Sequence, residues 1–349
     1  MLALFFTLKV GENMIYTITF NPAVDLVIQV PNCQLGMLNR SKGEEYVAGG
    51  KGINMSILLK RLGIDNIATG FLGGFSGKYI EGFLESEGIN PRFISVEGTT
   101  RINVKVKGEV ETEINAAGPA VGKEKFQELV NYLEDKVKEE DVVFLAGNAA
   151  PGLDETSYVE IAKLCHTRGV KLVLDTTKAS LLACLPYQPF IIKPNQHELE
   201  ELFGVKIKTQ EGMIAYAFKL QEKGARNVLI SCGGEGAFLV SETGQVLTSN
   251  TPKGILINSV GAGDSMLAGF MAKYIEANDF KESLKQGAAS GSATAFSVGI
   301  ATRELIEALI PQIKMGIRIL CWKRAYKSPF SKFLISVVEK STPKLSVMS

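Results

Sequence analysis

This sequence has little histidine, little tryptophan and almost no imbalance of charge. Its 349 residues include two histidines, His166 and His197, one tryptophan, and a net charge of +1. Five cysteines lie scattered at 33, 165, 184, 232 and 321 with no C-x-x-C pair, so with two histidines there is no zinc cluster to build. Cysteines so dispersed and odd in number predict a reducing, cytoplasmic setting. The near-neutral charge argues against a dedicated nucleic-acid binder. No stretch is suited to crossing a bilayer. The apolar start Met1-Leu2-Ala3-Leu4-Phe5-Phe6-Thr7-Leu8 is too short and lacks a basic n-region and a cleavage pattern. No G-x-G-x-x-G follows the first predicted strand, which counts against a dinucleotide-binding dehydrogenase.

What is present is a glycine-rich chain, with 35 glycines against 12 prolines and 46% hydrophobic residues, ordinary for a large soluble domain. The charge is unevenly spread. Residues 316–349 carry seven basic side chains and one acid, and removing that +6 leaves the rest of the chain at −5. We read residues 1–13 as an extension before a natural start at Met14, 14–315 as one folded domain, and 316–349 as a basic tail.

Ile15-Tyr16-Thr17-Ile18-Thr19-Phe20, β-branched and aromatic, predicts the first strand, ending at Asn21-Pro22-Ala23-Val24-Asp25. Strand-like patches at 26–47 and 100–117 fall outside any strand–helix rhythm and predict a small second sheet. Ile53, Ile57, Leu58 and Leu62 share one helical face, closed by Gly63. From about 122 the rhythm settles: helix to 138, strand 141–146, helix 154–167, strand 170–175, strand 190–193, helices 196–203 and 209–222, strand 226–231. That alternation predicts a parallel sheet covered on both faces, with ligands at the carboxyl ends of its strands. The apolar run Gly254-Ile255-Leu256-Ile257 reads as one more strand end.

Several turns at those strand ends carry chemistry. In Asn258-Ser259-Val260-Gly261-Ala262-Gly263-Asp264-Ser265, glycines open a helix whose first N–H groups could hold an anion beside a carboxylate base. An ordinary turn with Asp264 as N-cap fits the same residues. Gly49-Gly50-Lys51-Gly52-Ile53-Asn54 opens another helix but fits no Walker A frame. Arg101, Asn103 and Lys105 alternate onto one strand face, as a phosphate grip or as the solvated side of an edge strand. Lys193-Pro194-Asn195-Gln196-His197-Glu198 predicts a capping box between Asn195 and Glu198, a pair also suited to a hydrated Mg²⁺. Ser231-Cys232-Gly233-Gly234-Glu235-Gly236 is a small-residue turn after a strand.

Taken in this order, these stretches resemble the ribokinase-like carbohydrate kinases of the PfkB family over roughly residues 14–314. The resemblance implies an α/β fold, a three-layer α/β/α sandwich with a mostly parallel sheet, whose lid is the small sheet from 26–47 and 100–117. It implies ATP and Mg²⁺ as cofactors and a phosphosugar as acceptor. Asn258, where many members carry aspartate, matches the members that act on D-fructose 1-phosphate; kinases of tagatose 6-phosphate come second. Asp264 would be the general base, with the N–H groups of Gly261, Ala262 and Gly263 as anion hole. Asp25, Gly49, Gly50 and Asn54 would hold the sugar; Lys51, Arg101, Asn103 and Lys105, joined by Arg40, would take its phosphate. Lys193, Asn195, Ser231, Gly233, Gly236 and Gly263 would line ATP, with Asn195 and Glu198 organising Mg²⁺ and adenine near residues 287–292. The lid would double as a homodimer clasp. A sugar-phosphate sensor without turnover is the alternative of another class, and Asp264 between its glycine turn and its helix counts against it.

Overall fold

The computed structural model describes residues 13–176 and 178–318. It opens with β1 (Ile15–Thr19), every residue of it buried, then β2 (Ala23–Gln29), β3 (Glu44–Gly49) and α1 (Lys51–Arg61). A single residue, Gly50, joins β3 to α1 at φ 125°, a conformation only glycine adopts readily. Next come β4 (Ile67–Leu72), α2 (Gly74–Ser86), β5 (Asn90–Ser95), β6 (Arg101–Lys107) and β7 (Thr112–Ile114). The strand–helix rhythm then runs through α3 (Lys123–Lys136), β8 (Val142–Ala146), α4 (Glu155–Arg168), β9 (Lys171–Asp175) and α5 (Lys178–Cys184). It continues with β10 (Ile191–Ile192), α6 (Gln196–Phe203), α7 (Gln210–Glu222) and β11 (Asn227–Ser231). The hairpin β12 (Ala237–Val240) and β13 (Val246–Ser249) precedes α8 (Ala262–Ala277), α9 (Phe280–Ala295), α10 (Arg303–Leu309) and β14 (Met315–Arg318).

Ten strands form one sheet in the order β14-β13-β12-β11-β10-β9-β8-β1-β4-β5, parallel from β11 to β5 and antiparallel at the other end. Alternation along the strands divides their side chains between two cores. On β8, Val143 and Leu145 face Phe126, Leu129, Tyr158 and Ile161 of α3 and α4. Its neighbours Val142, Phe144 and Ala146 face Met55, Leu58, Leu267 and Phe270 of α1 and α8. Helices on both faces of a mostly parallel sheet make the three-layer α/β/α sandwich. The two early patches form a separate four-stranded sheet, β3-β2-β6-β7. Residues 30–43, expected to be partly extended, are turn and loop between β2 and β3.

Three expectations change. The strand predicted to end at 254–257 does not form, and the segment joins neither sheet. Instead the N–H groups of Ile257 and Asn258 both donate to the Ala295 carbonyl at 2.9 and 3.1 Å, pinning the segment to the end of α9. At its far end the main sheet runs to Arg318, beyond the expected boundary at 315; the rest of the basic tail, like residues 1–12, lies outside the described residues. Residues 287–292, expected beside adenine, are largely used in helix packing. A Cβ added at Gly287 would lie 2.8 Å from the Met266 carbonyl oxygen, so α8 and α9 touch through that glycine.

Candidate active site

Four charged groups converge where the parallel strands end and two helices begin. Asp175 is the last residue of β9 and is 3% exposed. Lys51, the first residue of α1, places its Nζ 2.9 Å from Asp175 Oδ1. Lys193, just past β10 and 6% exposed, holds its Nζ 3.6 Å from Asp175 Oδ2, too far for a hydrogen bond. Asp264 lies in the first turn of α8, 7% exposed, and its Oδ2 accepts a hydrogen bond from Asn54 Nδ2 at 2.8 Å. A Cβ at Gly263 would approach Lys193 Nζ to 3.1 Å, so the ammonium lies directly against that first turn. Gly261 precedes the helix at φ 77°. The N–H of Ala262, expected in the anion hole, donates to the Ser259 carbonyl at 3.2 Å; those of Gly263 and Asp264 have no acceptor within their helix.

The charges here do not cancel. Burial, then the charge of Asp175, pushes the Asp264 carboxyl up to about 6, against the pull of Lys51, the Asn54 hydrogen bond and Lys193. Burial works the same way on Asp175, but Lys193 and Lys51 outweigh it and hold that carboxyl below its usual range. Burial would lower Lys51; Asp175 and then Asp264 more than reverse this, and its ammonium is held above the ordinary lysine range. Asp264 is therefore a base raised toward neutrality, facing Lys51, whose ammonium is held charged.

The side expected to hold the nucleotide is built from two adjoining turns. Asn195 and Glu198 form the expected capping box: Glu198 N–H donates to Asn195 Oδ1 at 2.8 Å, and Asn195 N–H to Glu198 Oε2 at 2.7 Å. Asn195 bridges Ser231 at the end of β11, bringing the turns together. Gly233 is exposed at φ 54°, whereas Gly236 is buried with its Cα against the Ser249 carbonyl and shapes the turn instead of facing outward. A cavity opens between Asp175, Lys178, Lys193 and Glu198. No cluster of three or more metal-ligating side chains occurs among the described residues. The oxygens of Asp175 and Glu198 are hard donors, and Asp175 Oδ2 has no hydrogen-bond partner. Such a donor set fits Mg²⁺ carried mainly by phosphate and water, and no closed protein cage.

The residues expected to hold the acceptor lie on the small sheet. Asp25 and Asn103 face each other across β2 and β6, and Asn103 Nδ2 donates to Asp25 Oδ1 at 2.9 Å. Lys105 Nζ sits 3.0 Å from Asp25 Oδ2 and 3.8 Å from Glu113, so it is paired with carboxylates. Gly49 lies beneath, its absent Cβ 3.4 Å from Asp25 Oδ2. Arg101 donates from Nε and Nη2 to the Asn21 carbonyl at 3.2 and 3.0 Å, and from Nη1 to that of Ala116 at 3.5 Å. Lys51, expected at the acceptor's phosphate, is paired with Asp175 beside Asp264, and Arg40 is exposed in the β2–β3 loop.

Sequence reasoning missed Asp175. Its signal was available: an acid closing the apolar run Leu172-Val173-Leu174, at a carboxyl strand end. Asn258 also has a local role, its side chain donating to the Val298 carbonyl at 2.9 Å and accepting from Val260 N–H at 3.0 Å.

The family model for pfkB family carbohydrate kinases matches residues 12–306. The chain belongs to the pfkB family. Among curated members, the 1-phosphofructokinase of Bacillus subtilis (strain 168) is 43% identical over 302 residues, 86% of this chain and 99% of that protein. The D-tagatose-1-phosphate kinase of Bacillus licheniformis is 38% identical over 86% of this chain and 99% of its own. A solved structure, a provisionally named phosphofructokinase from Staphylococcus aureus, superposes with a TM-score of 0.79 at 39% identity, covering 87% of this chain and 99% of that one. This pfkB chain is a sugar-phosphate kinase, a phosphotransferase that uses ATP and acts on a sugar hydroxyl.

Proposed function

We propose that this pfkB kinase transfers the γ-phosphoryl group of ATP to D-fructose 1-phosphate, giving fructose 1,6-bisphosphate. The observation that carries the reaction is Asp264: buried, oriented by Asn54 and raised to about 6, at the start of a helix flanked by Lys51 and Lys193. An Asp264 oxygen takes the proton of the acceptor's free hydroxyl. The hydroxyl oxygen then forms its bond to the γ-phosphorus as the bond to the bridging oxygen breaks, and ADP leaves. Lys51, Lys193 and the N–H groups of Gly263 and Asp264 offset the charge on the transferring group. Glu198 and Asn195 would hold Mg²⁺ with the nucleotide, Asp175 being a further oxygen donor, and the ion would supply positive charge to offset that of the phosphates. Ser231 and Gly233 would line the nucleotide's phosphates, while the exposed Ile255, Leu256, Ile257 and Val298 offer the purine an apolar face.

For the acceptor, Asp25 and Asn103 present a satisfied pair to sugar hydroxyls, and Arg101 is the nearby guanidinium that could exchange carbonyl partners for a phosphate. Identity to the Bacillus subtilis 1-phosphofructokinase supports fructose 1-phosphate. Identity to the D-tagatose-1-phosphate kinase supports a second reading, the epimeric ketose phosphate. A cytoplasmic setting, from cysteine usage, and a homodimer belong to the same proposal. Leu35, Leu38, Val110 and Ile114, on the loops and edge of the small sheet, are 62–98% exposed and would be covered by a second lid.

The test is ADP release with Mg-ATP against fructose 1-phosphate, tagatose 1-phosphate, tagatose 6-phosphate, fructose 6-phosphate and fructose. Preference for fructose 1-phosphate is expected. Preference for a tagatose phosphate would reassign the acceptor pocket and keep Asp264. Binding without ADP from any of them would overturn the catalytic reading.

A further inference from the structure

We infer that Arg61 is a positioning residue for phosphoryl transfer, fixing the Gly261 turn through Ile300 and tying it through Glu87 to the helix that carries the small sheet. The inference rests on the role proposed above for the Gly261 to Asp264 turn. Arg61 lies in the last turn of α1, whose first residue is Lys51 and whose first turns carry Asn54. All three of its guanidinium nitrogens are engaged. Nε and Nη2 form a fork on Glu87, each 3.1 Å from a carboxylate oxygen, and Nη1 donates a short hydrogen bond to the Ile300 carbonyl. Both members of the ion pair are only about a quarter exposed, which shields the pair from solvent.

Ile300 is the point of transmission. A Cβ on Gly261 would come within 2.9 Å of Ile300 Cδ1 and 3.4 Å of Asn54 Nδ2, so that side chain and that amide pack directly on the turn. The loop bearing Ile300 is fastened in two further places. Ala301 N–H donates to Thr294 Oγ1 at 3.1 Å, and Thr294 in turn donates to Ser265 Oγ at 2.8 Å, the residue after Asp264. The Val298 carbonyl accepts from Asn258. Of these ties, only the one from Arg61 comes from α1. Helix α1 therefore touches the transfer centre directly through Asn54 and indirectly through Arg61 and Ile300.

The other end of the fork leads to the small sheet. Glu87 caps α2 at its C-terminus, and α2 is fixed to the small sheet near its start. Ser76 Oγ donates to the Thr100 carbonyl at 2.6 Å, Thr100 Oγ1 accepts from Gly73 N–H at 2.9 Å, and Tyr79 Oη donates to the Tyr46 carbonyl at 2.7 Å. Thr100 immediately precedes Arg101. A displacement of the sheet that receives the sugar is thus handed along α2 to Glu87, Arg61, Ile300 and the turn that receives the phosphoryl group.

The experiment measures steady-state kinetics and melting for Arg61→Ala, Ile300→Ala, their double variant and Glu87→Gln, beside wild type and Asp264→Asn. Because a misplacement of about 1 Å can cost about a hundredfold, Arg61→Ala and Ile300→Ala are each expected to lower kcat by about tenfold to a hundredfold with KM for both substrates within about twofold. The double variant should fall no further than the worse single one, since both break one linkage. Glu87→Gln, which keeps Arg61 on Ile300, should lose less kcat than Arg61→Ala. Additive losses, or lowered melting with kcat intact, would overturn the inference. Should Arg61→Ala fail to fold, Ile300→Ala and Glu87→Gln decide, and an unchanged kcat in Ile300→Ala overturns it. Full activity in Asp264→Asn would instead remove the catalytic assignment on which the inference rests.

Discussion

Asp25 and Asp264 are both carboxylates held by an asparagine, and lysines lie close to each. At Asp25 every charge has an answer: Asn103 holds one oxygen, Lys105 the other, and Glu113 shares the lysine. At Asp264 the nearby lysines belong chiefly to another acid, Asp175, whose charge adds to burial in raising Asp264. The first arrangement leaves neither carboxylate oxygen without a partner. The second stores electrostatic conflict at the atom that must accept a proton. On the function proposed above, two similar residue sets divide into a part that fits the substrate and a part that reacts.

The largest break in that contrast is expected from Asp264→Asn, which keeps shape and the Asn54 contact but removes the base. Turnover should fall by about two to four decades, read from initial rates at saturating substrates. Lys51→Met should come next. Removing an ammonium that lowers the Asp264 carboxyl moves the acid limb of kcat/KM from about 6 to higher pH; a pH profile unmoved by the change would show that Lys51 does not act on Asp264. On the satisfied side, Arg101→Ala should raise KM for the phosphosugar by about tenfold or more, as expected for a lost charged hydrogen bond, and leave KM for ATP near wild type. Equal rises would make Arg101 structural.

The smallest effect is thermal. A carboxyl raised by folding favours the folded state only while protonated, so the wild-type contribution is present below the unfolded value of 3.8 and is lost as pH rises through about 6. Asp264→Asn should therefore melt above wild type at about pH 7.5, with the gap closed by about pH 4. A calorimetric series across that range measures it.

Most of the fold was legible because its signals are local. The capping box at Asn195 and Glu198 and the strand–helix rhythm after residue 122 depend on neighbours a few positions apart, and the structure has them where the pattern put them. Residues 254–257 misled because an apolar, β-branched run looks the same whether or not a sheet edge is free to receive it. The partnership of Asp175 with Lys51 and Lys193 was not legible: the residues lie 124 and 18 positions apart, and only the closing of the sheet brings them together. The resemblance put adenine near residues 287–292, where Gly287 and Gly291 admit the neighbouring helix.

The last strand has a practical consequence. Residues 315–318 contribute the backbone partners of Val246, Leu247, Thr248 and Ser249. Trimming the chain at 314 would strip β13 of its outer neighbour and leave a row of open amide and carbonyl groups, the feature through which separate molecules zip together. A shortened protein meant for solution work should therefore end after Arg318.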